Sequence, residues 1–410
     1  MPGSTRRAPY VVLAALVVAA PVWIGAQQAQ PPAQQPATPP RAGGGGGQQS
    51  GNYNPDGSLR PSGRNGNLFT QGAYTEYALL EPGSSSFRIR YIFENARAGT
   101  TEMTNDTRGG SEGSGVEAYD PRTGQPVKFV YEPIPGSDDG HRIRATLPRP
   151  VPQGGIGRLL IYKTYKDERT FQMNGQDLVW VRLLSGYRLG VILPKGYAFV
   201  SSSIAAQLST TADGRLKLAF ANPNGQGNEF TIHARKTNAT FQPQPYTDVF
   251  FDDMRTLYDL DAPETGRIKV EQTYSDYRKG ANATLSSLSY LALQEMKVID
   301  LDTAEALTPS KQGNNTVVKL GVPITDDKQS AHLQLTGTLV NSGYKLVNGE
   351  LVFERPLHGL RNTVLLPAGW EVSGASQSGT IGTYQGRSFI AFVNLNAENN
   401  YAVTIRARKQ

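Results

Sequence analysis

Cysteine is absent from this chain of 410 residues. That absence excludes disulfides, thiolate metal ligands and a lipid anchor on an N-terminal cysteine. Histidine is scarce: His141, His233, His332 and His358 are the only four, and no two stand at metal-ligand spacing. No HExxH, phosphate-binding loop or dinucleotide fingerprint occurs, so no metal or cofactor is expected. One GxSxG string exists, Gly109-Gly110-Ser111-Glu112-Gly113. It lies in a glycine-rich stretch without the strand-then-helix context that a nucleophile elbow needs. Charge of one sign is not concentrated either. The formal +6 falls to about +4 if Arg6 and Arg7 are removed (6 − 2), and the densest basic groups are only Arg235-Lys236 and Arg406–Lys409. A nucleic-acid binder carries a basic stripe or patch, so that partner class is set aside. Long apolar runs are also missing. The stretch Tyr10–Ala20 falls short of the ~20 residues that span a bilayer.

Glycine and proline are abundant instead, at 44 and 27 residues. Near the N-terminus, Arg6 and Arg7, an apolar run, the break at Pro21 and the small Ala26 follow the order of a secretory signal. Residues 1–26 are therefore read as a signal peptide, and the protein as exported, to the periplasm or beyond. Residues 27–67 are rich in Gln, Pro and Gly around Gly43–Gly47. They cannot bury enough apolar surface to offset their ordering entropy and read as a disordered leader. Such a leader would span roughly 35 Å on average.

The remainder repeats itself. LVWVRLLSGYRLGVILPKGY from Leu178 lies over LVFERPLHGLRNTVLLPAGW from Leu351, an offset of 173 (351 − 178). Arg182 meets Arg355, Gly186 meets Gly359, and Arg188 meets Arg361. Further back, Tyr77, Leu79, Ile89 and Phe93 meet Tyr258, Leu260, Val270 and Tyr274 at an offset of 181 (258 − 77). The first copy carries extra residues within Val127–Arg144. Self-similarity on this scale predicts two copies of one unit, over residues 68–240 and 241–410. It also sorts residues: those in both copies serve the scaffold, and those in one copy are freer to serve function.

Within each copy the pattern has a period of two. Leu288, Tyr290 and Ala292 alternate with polar neighbours, and turn strings such as Asp120-Pro121-Arg122-Thr123-Gly124 and Asn348-Gly349 recur. Leu285–Lys297 alone has enough apolar residues to pass for a helix, but its counterpart in the first copy is polar and glycine-rich. The expected fold is all-β, as two tandem β-sandwich domains of immunoglobulin-like type. Trp180, Phe353, Tyr197 and Trp370 are expected in the core.

Chemistry has to be sought among the unmatched residues. His141 follows Asp138-Asp139-Gly140 in the first copy's insertion, and a carboxylate beside an imidazole can act as a general base. With Glu168, these three are the candidates for a catalytic reading. Tyr165, in KTYKDERTF, is expected on the surface as a binding residue, whereas Tyr162 and Tyr187 are expected in the core. Asp252 and Asp253, the other two candidate binding residues, head the acidic stretch between the copies, which also holds Asp248, Asp259, Asp261 and Glu264. Hard cations take six to eight oxygens, but the run lacks the glycine punctuation of a calcium loop and reads as an ordered linker.

The expected function is an exported, non-catalytic binding or interaction protein of the bacterial cell envelope. Its partner would be a glycan or a protein, with specificity in Val127–Arg144 and Thr247–Glu264. The alternatives are a secreted hydrolase of envelope polymers and a structural surface-assembly protein.

Overall fold

The computed structural model describes residues 74–107, 111–137, 140–184, 188–221, 228–242, 253–285, 293–313, 315–394 and 401–410. All belong to one compact unit spanning residues 50–410. The chain is all-β. Among the described residues the only helical element is a single 3₁₀ turn, Pro263–Thr265.

The strands of the first half are β1 Tyr74–Leu79, β2 Ser86–Asn95, β3 Glu102–Asp106, β4 Glu112–Tyr119, β5 Phe129–Pro133, β6 His141–Thr146 and β7 Gly157–Lys166. They continue with β8 Phe171–Asn174, β9 Asp177–Leu184, β10 Arg188–Ile192, β11 Tyr197–Ser202, β12 Gln207–Thr210, β13 Leu216–Ala221 and β14 Asn228–Lys236. The second half holds β15 Arg255–Leu260, β16 Arg267–Asp276, β17 Ala283–Leu285, β18 Gln294–Asp300, β19 Glu305–Leu307, β20 Pro309–Gln312, β21 Asn315–Lys319 and β22 Ala331–Val340. After these come β23 Tyr344–Val347, β24 Glu350–Leu357, β25 Arg361–Leu365, β26 Trp370–Ala375, β27 Thr380–Tyr384, β28 Arg387–Val393 and β29 Tyr401–Lys409.

Each half has one large sheet and two small ones. The first large sheet runs β12-β13-β10-β1-β2-β7-β4, and its small sheets are β11-β14-β9-β8 and β3-β6-β5. The second large sheet, read from the β27 edge, runs β27-β28-β25-β15-β16-β22-β18-β19, with small sheets β26-β29-β24-β23 and β17-β21-β20. The succession of strands is the same in both, with β19 added at one edge. The opening strand of each half lies parallel to a later one, β1 to β10 and β15 to β25. At the described ends of Leu285–Lys297, Leu285 lies in strand β17 and Gln294–Lys297 in strand β18, while residues 286–292 lie outside the described set.

Long strands explain this layering. At about 3.3 Å per residue, the ten residues of β2 and of β7 extend for about 33 Å. One small sheet cannot cover that length. In the first half, Phe87, Ile89 and Tyr165 lie in a core under β8-β9-β14-β11 with Trp180, Phe230 and Ile232. Leu159 and Ile161, at the other end of β7, lie in a separate core under β3-β6-β5 with Met103, Ile143 and Ala145. In the second half one continuous core takes in all three sheets, from Val318 through Leu335 to Phe353 and Ile405. Trp180, Phe353, Tyr197 and Trp370 are all buried. The turns after Pro194 and Pro367 each place a glycine, Gly196 and Gly369, at φ 77. That left-handed conformation strains any residue with a Cβ.

The halves meet through polar contacts. The guanidinium of Arg158 donates to both carboxylate oxygens of Asp302, at 2.8 and 2.7 Å, and to the Ser330 hydroxyl and carbonyl. Arg122 in the first half's Asp-Pro-Arg-Thr-Gly turn reaches Asp300 at 3.1 Å. Backbone bonds join Ile156 N–H to Leu301 C=O and Ser330 N–H to Pro121 C=O. A buried ion pair in which the guanidinium makes four hydrogen bonds holds the two partners in one register, and removing either leaves an uncompensated charge.

Candidate functional site

The first half's two cores are separated by a seam, and the seam is open. The inward residues of β2 and β7 are paired across the sheet as Phe87 with Tyr165, Ile89 with Lys163, Tyr91 with Ile161 and Phe93 with Leu159. Lys163 and Tyr91 fall where one small sheet ends and the other begins. A crevice of about 200 Å³ opens there, walled by Thr75, Tyr77, Asn105, Asp106, Arg182 and Leu183.

Lys163 is the unusual residue of the floor. It is 4% exposed, its ammonium donates to Asn105 Oδ1, and its Nζ lies 4.9 Å from the centre of the Tyr165 ring. Burial pulls its pKa down to about 7, and the neighbouring Arg182 adds to the effect while Asp106 opposes it. A lysine so shifted is half neutral near pH 7. Arg182, 6% exposed, lies with its Cζ 5.0 Å from the Phe87 ring, 5.4 Å from Tyr165 and 5.7 Å from Tyr77. Cations over aromatic faces are held by the ring quadrupole. One Nη of Arg182 is buried without a hydrogen-bond partner among the described residues.

The nearby carboxylates are committed elsewhere. Asp106 is held by Arg142 through two bonds of 2.6 and 2.8 Å. Asp167 accepts from the Ser111 hydroxyl at 3.0 Å and from Arg169 N–H at 3.1 Å, and stands 3.9 Å from Arg182. The crevice is therefore lined by two basic side chains, three tyrosines and one carboxylate, Asp106, that is bound to Arg142. Burial pushes the Tyr91 phenol up to about 12, so it remains a hydrogen-bond donor at neutral pH.

The residues singled out from the sequence fall in several places. Tyr165 is 2% exposed: it is a core residue that forms part of the crevice wall, not a surface aromatic. Tyr162 is the one on the outward face, where its ring packs against Arg88 and Tyr119. The cause is register. Ile89 pairs with Lys163 and Val270 with Gly337, so residues of β7 match those of β22 at an offset of 174 (337 − 163), not 173. Slipping a strand by one residue exchanges its faces. Tyr187 lies outside the described residues, as do Asp138, Asp139, Asp248 and Asp252.

His141 opens β6 and stacks on Tyr131, with centroids 4.9 Å apart and planes 20° apart. Glu168 is exposed in the turn after β7 and pairs with Lys166 at 3.8 Å. Asp253 is 3% exposed and accepts from the Ser275 N–H and hydroxyl. Burial alone would raise its pKa, but Arg188 and His332 outweigh this and keep it lowered. Glu94, Asp253, Arg255, His332 and Arg361 line a cavity of about 10 Å³ in the joint, room for about one water. Asp253 thus faces the interior of the joint rather than solvent. Asp259 and Asp261 are taken up by Arg387 and Lys269. No group of three or more His, Cys, Asp or Glu suited to a metal is present among the described residues. Ser111 leads into strand β4, not a helix, and its hydroxyl partner is Asp167.

Lys163, Asn105 and Tyr91 were not singled out from the sequence, and Arg182, matched by Arg355, was read there as scaffold. One signal was there: Lys163 interrupts the apolar inward row Leu159, Ile161, Tyr165.

No protein-family model matches the sequence, and no curated protein matches it. Among solved structures, one similar chain is an aminopeptidase N family protein from Idiomarina loihiensis, at a TM-score of 0.26 and 9% identity, covering 39% of this chain and 29% of that one. This chain thus spans under a third of that protein's length. Another, from Parabacteroides distasonis and described only provisionally as a protease, has a TM-score of 0.23 and 9% identity, covering 82% of this chain and 94% of that one. Likeness at this level carries no argument about activity. The fold and the crevice define the class: an all-β protein with sandwich-like sheets and a cationic crevice in its first half.

Proposed function

We propose that this is an exported, non-catalytic binding protein of the bacterial cell envelope, which holds a polar ligand in the crevice between the small sheets of its first half. The observation that carries the reading is Lys163 with Arg182, two buried cations lining one crevice of about 200 Å³. Burying charge away from a partner is costly, and such groups concentrate where proteins bind or react. The lining supplies hydrogen-bond donors and aromatic faces, the usual make-up of a ligand site. It brings no imidazole or uncommitted carboxylate beside the lysine, which favours binding over hydrolysis.

We further infer that residues 68–240 and 241–410 are duplicated immunoglobulin-like units, behind a signal peptide at 1–26 and a leader at 27–67. The matching strand order of the two halves supports duplication. The partner is a glycan or protein of the envelope. The test is a glycan array together with capture from envelope extracts, comparing the native protein with Lys163→Met. A partner retained by the native chain and lost by the variant is the expected result. Silence on both, with turnover of a generic hydrolase substrate panel, would favour the enzyme instead.

A further inference from the structure

We propose that the crevice takes an organic anion, a carboxylate-bearing sugar or a compound of similar size, with its carboxylate against Lys163 and Arg182. The inference rests on the reading of the crevice as a binding site and specifies the chemistry of its occupant. Both cations are more than nine-tenths buried, and both lie against one ring, that of Tyr165. Neither has a close carboxylate to itself: Asp106 belongs to Arg142, and Asp167 is shared among Ser111, Arg169 and, at 3.9 Å, Arg182. The Nη of Arg182 that has no hydrogen-bond partner among the described residues is the one 3.9 Å from Asp167, so the guanidinium keeps donor capacity that no described group takes up.

Electrostatics and burial agree with that occupant. Two like charges in one desolvated space repel each other, and an anion placed beside them removes the repulsion. Charge-assisted bonds from a guanidinium or an ammonium to a carboxylate are among the stronger contacts a site can make. The walls then suit a ring. Tyr77, Tyr91 and Thr75 line the crevice, and a pyranose there would meet their rings and hydroxyl groups. A neutral sugar would leave Lys163 with only Asn105 and Arg182 with only the 3.9 Å approach of Asp167, and a bare inorganic anion would leave the tyrosine rings without a contact.

The same pair of cations is not available in the second half. Arg355 stands at the Arg182 position, but Gly337 stands at the Lys163 position. Among the described residues, one such cation pair follows, in the first half.

The test is titration calorimetry on the full chain with D-glucuronate, D-glucose as the neutral analogue, and inorganic phosphate. Glucuronate should bind saturably at one site, with glucose and phosphate each weaker by at least about tenfold. Lys163→Met should weaken glucuronate by about 10- to 100-fold, and Arg182→Lys, which keeps the charge, by less. Titrations in two buffers of different ionisation heat, slightly above neutral pH, should report proton uptake in the native protein and none in Lys163→Met. Glucose binding as tightly as glucuronate overturns the anion assignment while leaving the crevice as a binding site. Unchanged glucuronate affinity in a folded Lys163→Met variant overturns the assignment of the site. Absence of glucuronate binding overturns the proposal, and silence of both the glycan array and the envelope capture beside it removes the binding reading as well.

Discussion

The two halves follow one strand order, yet among the described residues the core beneath the small sheets is split in two in the first and continuous in the second. The difference can be followed to a single position. Ile89 faces Lys163 in the first half, and Val270 faces Gly337 in the second. With no side chain at Gly337, Leu293 closes in: a Cβ there would lie 3.1 Å from the Leu293 Cβ and 3.1 Å from the Gln294 carbonyl oxygen. Leu293 and Met296 then pack on the continuous core. In the first half the lysine and Asn105 occupy that space, and the seam stays polar. Keeping an ammonium where a leucine would serve stability better is a sign of use, and it is the clearest distinction between the halves.

The comparison can be broken from the second half. Gly337→Lys would push a charged side chain into a closed core, against a backbone carbonyl as well as Leu293. A loss of about 5 kcal/mol or more is expected, enough to leave little folded protein. Urea denaturation of soluble variant with near-native stability would show that the second half can open a seam of its own. Next in size is the joint. Arg158→Met leaves Asp302 buried without its partner and should cost about 3–5 kcal/mol. A second outcome sharpens the picture. If the joint couples the halves, both should still unfold in one transition, at a lower urea midpoint; two separate transitions would mean that Arg158 is what makes them cooperative.

Much of the fold was legible in the sequence. Alternating strands, turn strings and shared aromatics lead to an all-β chain with Trp180 and Phe353 in its core, because burial on one face writes a period of two into the residues. The seam was not legible, and the reason is specific. The offset of 173 that aligns β9 with β24 was carried back onto β7, where the true pairing requires 174. The connection from β7 to β8 has four residues, Asp167–Thr170, and that from β22 to β23 has three, Asn341–Gly343. One residue in a loop is invisible to a similarity match, but in a strand it decides which side chains face the core. It set Tyr165 outside and Tyr162 inside, the reverse of their positions, and it matched Lys163 with Thr336 instead of Gly337. Asp253 was misread for another reason: an acidic run reads as surface until the arginines that surround it are known, and Arg188 and Arg361 come from distant strands.

The lysine itself offers a milder test. Lys163→Met fills the seam with an apolar side chain and should stabilise the protein by about 1–4 kcal/mol near pH 6. The sign of its pH dependence is fixed by the shift. In the unfolded chain the ammonium keeps its proton up to about its ordinary value of 10.5, and in the fold it releases it near 7. Between these values the unfolded state binds more protons, so the native protein gains stability from this group as pH rises through that window. The advantage of Lys163→Met is therefore full below about pH 7 and fades towards pH 10. Thermal melts of both proteins across that range check it, and a constant difference at every pH would mean that Lys163 is not desolvated.

The smallest effect is expected beside the crevice, in the cluster under β3-β6-β5. Tyr131, in the extra residues of the first half, has its hydroxyl buried with no hydrogen-bond partner among the described residues. A Cβ on Gly113 would collide with that hydroxyl, at 2.2 Å, so the ring lies directly over β4. A buried hydroxyl without a partner contributes its desolvation cost and nothing in return. Tyr131→Phe should accordingly be neutral or stabilising by up to about 1 kcal/mol, with the stacking on His141 retained. Most substitutions that remove a buried polar atom destabilise, so the sign discriminates. A loss of more than about 1 kcal/mol would mean that the hydroxyl bonds an ordered water. The insertion would then be part of the polar seam rather than a lid of ordinary packing beside it.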